Sequence, residues 1–473
     1  MAGRSCPLPV LRLPTEILCN ILGLVETSSH HEGGERRAKH NSKDIRSCRL
    51  TCRRFCEISS TRLVRLIHVD YRLSSLERLQ DVSRHPVISR GVLAVRLSLG
   101  RFEKPGDFGS FVQKLTAARQ VPDPYSERMT DGEQEALKIH DSWRRIGRKN
   151  SPRIEIKRDQ IHRARLRTLY EEYQRLYEDQ EALRAQGGFA EAIGAAFARM
   201  PFAKELHYQD VGAPRSWVEI WEPEDADQEM YGCALDITQQ KRDGEIPETP
   251  PYSFINVSIA VHNAGVALQH VKIHLNSDFA AKSLVVVKEA RSNFISAMGS
   301  VQSFSAGCGH LYCDDIDEES TSAVLRQWWK CMPALRRLDW NLLNMGWNNA
   351  TSLNLSESIP WTDIRISGGY FDALELWQFL RQLPSTPNSV IFSNVLFFGT
   401  CGAQFLDTLR DKAPRHVQFD DLSWLHSQTK ELMAMALEKQ REGQSEAERY
   451  VLRLDDTNPL VAAAERQAAA SQA

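Results

Sequence analysis

Four prolines, Pro333, Pro360, Pro387 and Pro414, stand 27 residues apart, and each opens a short run in which apolar and other residues alternate. The runs are PALRRLDW, PWTDIRIS, PNSVIFSN and PRHVQFDD, with Leu338 and Trp340, Ile364 and Ile366, Val390 and Phe392, and Val417 and Phe419 at the alternating positions. A period of two places such pairs on one face of an extended strand. Helical patterns stand before most of them, in SAVLRQWWKCM, YFDALELWQFLRQL and CGAQFLDTLRDKA. One strand and one helix therefore alternate, and a repeat that cannot bury its apolar face alone must stack on its neighbours.

The 27-residue period lies in the range of leucine-rich repeats, which this segment resembles in pattern, although the full L-x-x-L-x-L-x-x-N frame is rarely complete. Degenerate copies precede it. FAEAIGAAFARMPFAKELHYQD offers a helix and then Leu206 and Tyr208; HVKIHLN offers Val271, Ile273 and Leu275; SVQSFSAG offers Val301 and Phe304. The array is thus expected over 189–460, as a curved α/β solenoid rather than an ordinary α/β domain of parallel strands. GVLAVRLSLG at 91–100 reads as an outlying strand, and 158–186 as one long helix. The polar, turn-rich VPDPYSERMTDGEQ at 121–134 reads as a loop. QTKELMAMALEKQREG reads as a helix, ERYVLRLDDTNPLV as an end cap for the array, and 461–473 as a tail of small residues.

The N-terminus follows a different pattern. Pro14 and Glu16 suit a first helical turn, and Ile17, Leu18, Ile21, Leu22 and Val25 recur at three- and four-residue steps behind them. A polar stretch from Thr27 to Lys43 follows and reads as a loop. A second helix, capped by Ser42 or Asp44, would then carry Ile45, Cys48, Cys52, Phe55 and Cys56 on its apolar face, with Arg46, Arg49, Arg53 and Arg54 mostly off it. A third short helical piece with Leu63, Val64, Leu66 and Ile67 would close the module.

L-x-L-P-x-E-I-L at 11–18 and D-I-x-x-C-R-L-x-C-R-R-F at 44–55 resemble the F-box, in the order typical of fungal-type members, over roughly residues 8–68. The 27–43 loop is longer than in a compact F-box. The resemblance implies binding of a Skp-type adaptor and, through it, of a cullin scaffold with its RING subunit. It implies adaptor contacts at Leu11, Leu13, Pro14, Ile17, Leu18 and Ile21, supported by Ile45, Leu50 and Phe55. The same residues could also form a self-contained helical core. The fold class expected is therefore α/β: an F-box helical module over 8–68, a connecting region over 69–188, and an irregular leucine-rich-repeat-like solenoid over 189–460. Substrate would be held on the strand-lined face, with Trp340, Trp347, Trp361, Tyr370 and Trp424 as candidate contacts.

Composition narrows the function. Lys+Arg 59 against Asp+Glu 61 leaves a formal charge of -2, so no whole-chain field favours nucleic acid or an anionic membrane. The ten cysteines contain no C-x-x-C pair and suggest free thiols in a reducing compartment. Prolines and Arg12 interrupt the start, so it does not read as a signal peptide. The uncharged stretch from Pro250 to Val271 carries Asn256, His262, Asn263, Gln269 and His270, too polar for a spanning helix. A protein of cytoplasm or nucleus is expected. Cys308, His310 and Cys313 lack a distant fourth ligand pair, so a repeat loop is expected there rather than a zinc site. Ten Lys or Arg residues between Arg144 and Arg167 read as a solvated face, since no aromatic platform interleaves them. With no G-x-x-x-x-G-K-S/T, G-x-S-x-G or H-E-x-x-H motif, neither catalytic residues nor a cofactor is expected. The reading is a non-catalytic substrate receptor of an SCF-type ubiquitin ligase; its rivals are a scaffold acting without ubiquitin transfer and an enzyme concealed in the irregular middle.

Overall fold

A computed structural model describes residues 13–27, 45–98, 104–111, 155–186, 188–209, 253–275, 288–308, 330–341, 361–368, 370–383, 386–398, 401–425, 432–433 and 446–462, with 286, 328 and 465 besides. The described residues up to Ala203 form one compact unit and those from Lys204 onward a second.

The first unit opens with helix α1, Thr15–Thr27, whose first backbone bond runs from the Leu18 N–H to the Pro14 carbonyl. Residues 45–51 are helical (α2). The single second helix expected through Cys56 is broken at Cys52, whose extended backbone (φ -161°, ψ 165°) starts a separate helix α3, Arg53–Ser60. The Cys52 Sγ caps it by accepting the Phe55 N–H at 3.5 Å, so this thiol opens a second helix instead of lining a continuous apolar stripe.

The third helical piece expected around Leu66 is absent: Leu66–Asp70 is strand β1. Ile67 and Val69 alternate with half-buried His68 and Asp70 and are themselves buried, a period-two pattern that wins once a partner strand exists. That partner is β2, Ala94–Ser98, within the expected 91–100 segment, in parallel register Ile67↔Val95 and Val69↔Leu97. Helix α4, Leu73–Arg84, connects them and buries Leu76 and Leu79. The His68 carbonyl accepts from Arg78 at 2.7 Å, and the Asp70 N–H donates to Ser75 Oγ at 3.2 Å. Arg65, on the other hand, gives its carbonyl to Leu93 and Ala94 on the β2 side. Main-chain groups of adjacent strand residues point to opposite edges, so Ser75 and Arg78 satisfy the edge of β1 that faces away from β2. The long helix is α5, Glu155–Gln186, and buries Tyr173, Leu176, Gln180 and Leu183 at three- and four-residue steps. Helix α6, Phe189–Arg199, completes the unit, with Phe189 stacked on Tyr71 at 4.6 Å between ring centroids.

The second unit is α/β, with parallel strands taken in chain order. They are β3 (Glu205–Gln209), β4 (His270–Leu275), β5 (Ser303–Cys308), β6 (Arg337–Asn341), β7 (Asp363–Ser367), β9 (Ser389–Phe398) and β10 (His416–Leu425). Short β8, Tyr370–Asp372, also pairs in parallel with β9. Tyr370–Asp372 thus forms a strand where a helical start was expected. Helices α7 (Ser253–Asn263), α8 (Arg291–Met298), α9 (Ala373–Gln382) and α10 (Gly402–Lys412) lie between successive strands.

Two side-chain ladders cross the strands. Leu206, Val271, Phe304, Leu338, Ile364, Val390 and Val417 are in one register row, and every one is buried. Tyr208, Ile273, Ala306, Trp340, Ile366, Phe392 and Phe419 form the next row, buried but for the half-buried Ala306. These rows meet the helices: Tyr208 packs edge-on against Phe254 of α7 at 5.2 Å, and Phe392 against Phe405 of α10 at 5.7 Å.

The last strands change direction at one level. Gly368 (φ 72°) and Asn394 (φ 52°) both adopt left-handed backbone, the Gly368 N–H donates to the Ser393 carbonyl at 2.7 Å, and pairing of β9 with β10 skips Asn394 and Asp421. Glycine and asparagine reach this conformation at least cost, which lets both strands continue past the bend.

After β10, Leu432–Met433 pairs antiparallel with Trp424–Leu425 as β11, so a strand stands inside the segment expected to be helical. Helix α11, Glu446–Val451, follows, and residues 459–462 are helical again. The buried carboxylate of Glu448 accepts the Phe419 N–H at 2.5 Å, on the edge of β10 away from β9. Asn458 donates to the Ala403 carbonyl and to Asp407, and Tyr450 donates to the same carboxylate. In the segment ERYVLRLDDTNPLV, expected as an end cap, Glu448 thus satisfies a donor on the edge of β10, while Tyr450 and Asn458 tie the segment to α10.

Candidate protein-binding surfaces

In the first unit, α1 is apolar on two sides. Leu18 and Leu22, four residues apart, are buried at 0 % and 2 % exposure, while Ile17 and Ile21 are 44 % and 38 % exposed and Pro14 is exposed beside them. The pattern arises because residues three and four apart share a helix face, and Pro14, Ile17 and Ile21 form a second stripe beside the inward one. Ile45 is buried, Phe55 half-buried and Leu50 88 % exposed. Of the expected adaptor contacts, Pro14, Ile17, Ile21 and Leu50 therefore lie at the surface, Leu18 and Ile45 lie in the core, Leu13 and Phe55 are intermediate, and Leu11 lies outside the described residues. Arg54 and Arg49, read from sequence as lying mostly off the apolar helix face, make internal bonds. Arg54 donates to the Leu13 carbonyl at 2.7 Å and Arg49 to Ser60 Oγ at 3.0 Å.

In the second unit, the strand residues that alternate with the buried rows form an outward polar face. Its first row is Glu205, His270, Ser303, Arg337, Asp363, Ser389 and His416; its second is His207, Lys272, Ser305, Asp339, Arg365, Ile391 and Gln418. The charges are locally compensated. His207 donates to Glu205 at 3.1 Å and Lys272 stands 3.8 Å from the same carboxylate, and the His207 hydrogen bond, more than the nearby cations, holds Glu205 below the usual carboxylate range. Arg337 pairs with Asp363 at 3.3 Å, and Thr362 and Asn388 donate to that carboxylate too. Burial pushes the Asp339 carboxyl up, against the pull of Arg365 and Lys272. A Cβ on Gly307 would sit 2.5 Å from His274 Nδ1, so the absence of a side chain there lets the imidazole lie across the face.

The tryptophans named as substrate contacts divide. Trp340 belongs to a buried row and Trp361 is fully buried, so neither ring offers surface to a partner. Register aligns Tyr370 with the half-buried Leu396, and Trp424 with the buried Phe397; Trp347 lies outside the described residues. Sequence reasoning passed over the polar outward rows because period two marks what is buried and leaves the alternate positions unspecified.

Cys308, on β5, is described at the backbone, whereas His310 and Cys313 lie outside the described residues, as do 144–154 of the basic run, 27–43 beyond Thr27, and 121–134. Among the described residues no cluster of His, Cys, Asp or Glu could hold a metal ion, and no helix is long and apolar enough to cross a membrane. Compared with protein-family models, curated proteins and solved structures, the chain has no significant match in any of the three.

Proposed function

We propose that this chain is the substrate-recognition subunit of an SCF-type ubiquitin ligase. In this reading α1, α2 and α3 are an F-box that docks on a Skp-type adaptor, and the strand array is an irregular leucine-rich-repeat-like solenoid that holds substrate on its outward face. The observation that carries it is the second apolar stripe of α1: Pro14, Ile17 and Ile21 remain at the surface although Leu18 and Leu22 already anchor the helix, and Leu50 of α2 is 88 % exposed. Apolar side chains left outside a satisfied core are what a protein interface requires. No residue of the chain need touch reacting atoms; binding substrate and adaptor at once makes the encounter with a charged conjugating enzyme effectively intramolecular. The site of action would be cytoplasm or nucleus.

Affinity capture of the whole chain tests this, beside a Leu13, Pro14 and Ile17 triple alanine variant and a Leu50→Asp variant. Both should lose the adaptor and keep other captured proteins, and Leu50→Asp should do so without loss of stability because its side chain packs on little. Recovery of adaptor without cullin would favour the scaffold reading. Absence of any Skp-type adaptor from the unaltered chain would end the proposal.

A further inference from the structure

We infer that Arg54 is a positioning residue for adaptor docking, holding the start of α1 so that its outward stripe is presented at one fixed angle; this rests on the F-box reading above. The Arg54 guanidinium donates to the Leu13 carbonyl at 2.7 Å, across 41 residues of sequence. Leu13 lies two residues before the helix: the first carbonyl used by α1 is that of Pro14, so the Leu13 carbonyl has no role in the helical ladder. Pro14 has no N–H with which to tie the entry of the chain down. The bond therefore acts on the peptide immediately before the first residue of the outward stripe, with Ile17 and Ile21 following on the same side.

Arg54 itself is well placed for this task. It lies in the first turn of α3, whose start is set by the Cys52 cap, and its companion Arg49 is bonded to Ser60 at the far end of that helix. Buried Leu18 and Leu22 hold the body of α1 by non-directional packing, which resists separation better than it resists rotation or fraying of the first turn. A charge-assisted bond of fixed geometry supplies what packing lacks. An arginine off the apolar face thus acts on the surface that the partner meets.

The experiment uses the full chain and a purified Skp-type adaptor, with Arg54→Ala and Arg54→Lys compared with the parent by calorimetric titration. Amide exchange in the free chains is followed over 13–22, over α2 and α3, and over β3. Arg54→Ala should weaken the adaptor about tenfold, the scale expected for one hydrogen bond to a charged group. Exchange should quicken in the first turns of α1 while α2, α3 and β3 keep the parent's protection, and Arg54→Lys, which retains a donor, should recover part of both effects. Affinity within twofold of the parent overturns the assignment. So does a loss of affinity accompanied by faster exchange throughout α2 and α3, because Arg54 would then merely hold the module together. A parent chain that binds no adaptor overturns this inference together with the F-box reading, whereas a parent that binds and an unaffected Arg54→Ala variant overturn this inference alone.

Discussion

Single side chains decide how this fold satisfies buried polar groups. Glu448 is buried in α11 and accepts the Phe419 N–H, a main-chain donor that would otherwise point away from β9 with no strand to receive it. Replacing it by alanine leaves that donor orphaned inside the protein, and we expect a loss of about 1–3 kcal/mol, read from urea unfolding. Asp339 behaves in the opposite sense. Burial raises its folded pKa above the ordinary carboxylate value, so the folded state binds the proton more tightly than the unfolded state and stability falls as pH rises through that interval. Asp339→Asn removes the ionisation. It should therefore be more stable than the parent at pH 7, with the difference shrinking as pH falls through the raised folded value and gone well below about pH 4, where Asp339 is protonated in both states; an advantage that persists unchanged at pH 3 would contradict this origin.

At the level of elements, termini and joints carry the design. Strand β1 has its outer edge occupied by Ser75 and Arg78, and β10 has its outer edge occupied by Glu448 and β11, so side chains stand where a further strand would otherwise pair. The joint between the helical module and the first βαβ passage is close-packed: Gly91 leaves no room for a side chain, a Cβ there lying 1.7 Å from the Thr61 carbonyl oxygen. Because the obstacle is backbone at the end of α3, it cannot swing aside. Gly91→Ala should destabilise the first unit by roughly 3 kcal/mol, measured as a fall in the thermal midpoint of a probe in that unit.

For the whole molecule, the two candidate surfaces belong to different units and have different chemistry. The α1 stripe is apolar, whereas the strand face is polar, with ion pairs at Glu205 and Asp363, so mutations should separate the two proposed binding roles. Lys272→Glu with Arg365→Glu places new negative charge beside Glu205 and Asp339. The double variant should keep adaptor binding and lose the proteins captured by the strand face; loss of both, or of neither, in paired affinity captures would argue against the division of labour. Such reversals act through repulsion, which costs more at a partly buried interface than the original pairs contribute.

Much of the array was legible in the sequence. The buried rows through Leu338, Ile364, Val390 and Val417, and through Trp340, Ile366, Phe392 and Phe419, follow from a period of two repeated every 26 or 27 residues, and the helices around 189–199 and 402–412 from their own apolar spacing. Local pattern suffices where one face of an element must be buried, because hydrophobic burial acts residue by residue. The tertiary structure decided the rest. Leu66–Asp70 became a strand because β2 was there to pair with it, and Leu432–Met433 because β10 offered an open edge. Cys52 became a cap, Arg54 a clamp on the Leu13 carbonyl, and Trp361 a core residue in place of a surface contact. Each of these outcomes depends on a hydrogen-bonding or packing partner distant in sequence, and the identity of that partner is set only when the chain has folded.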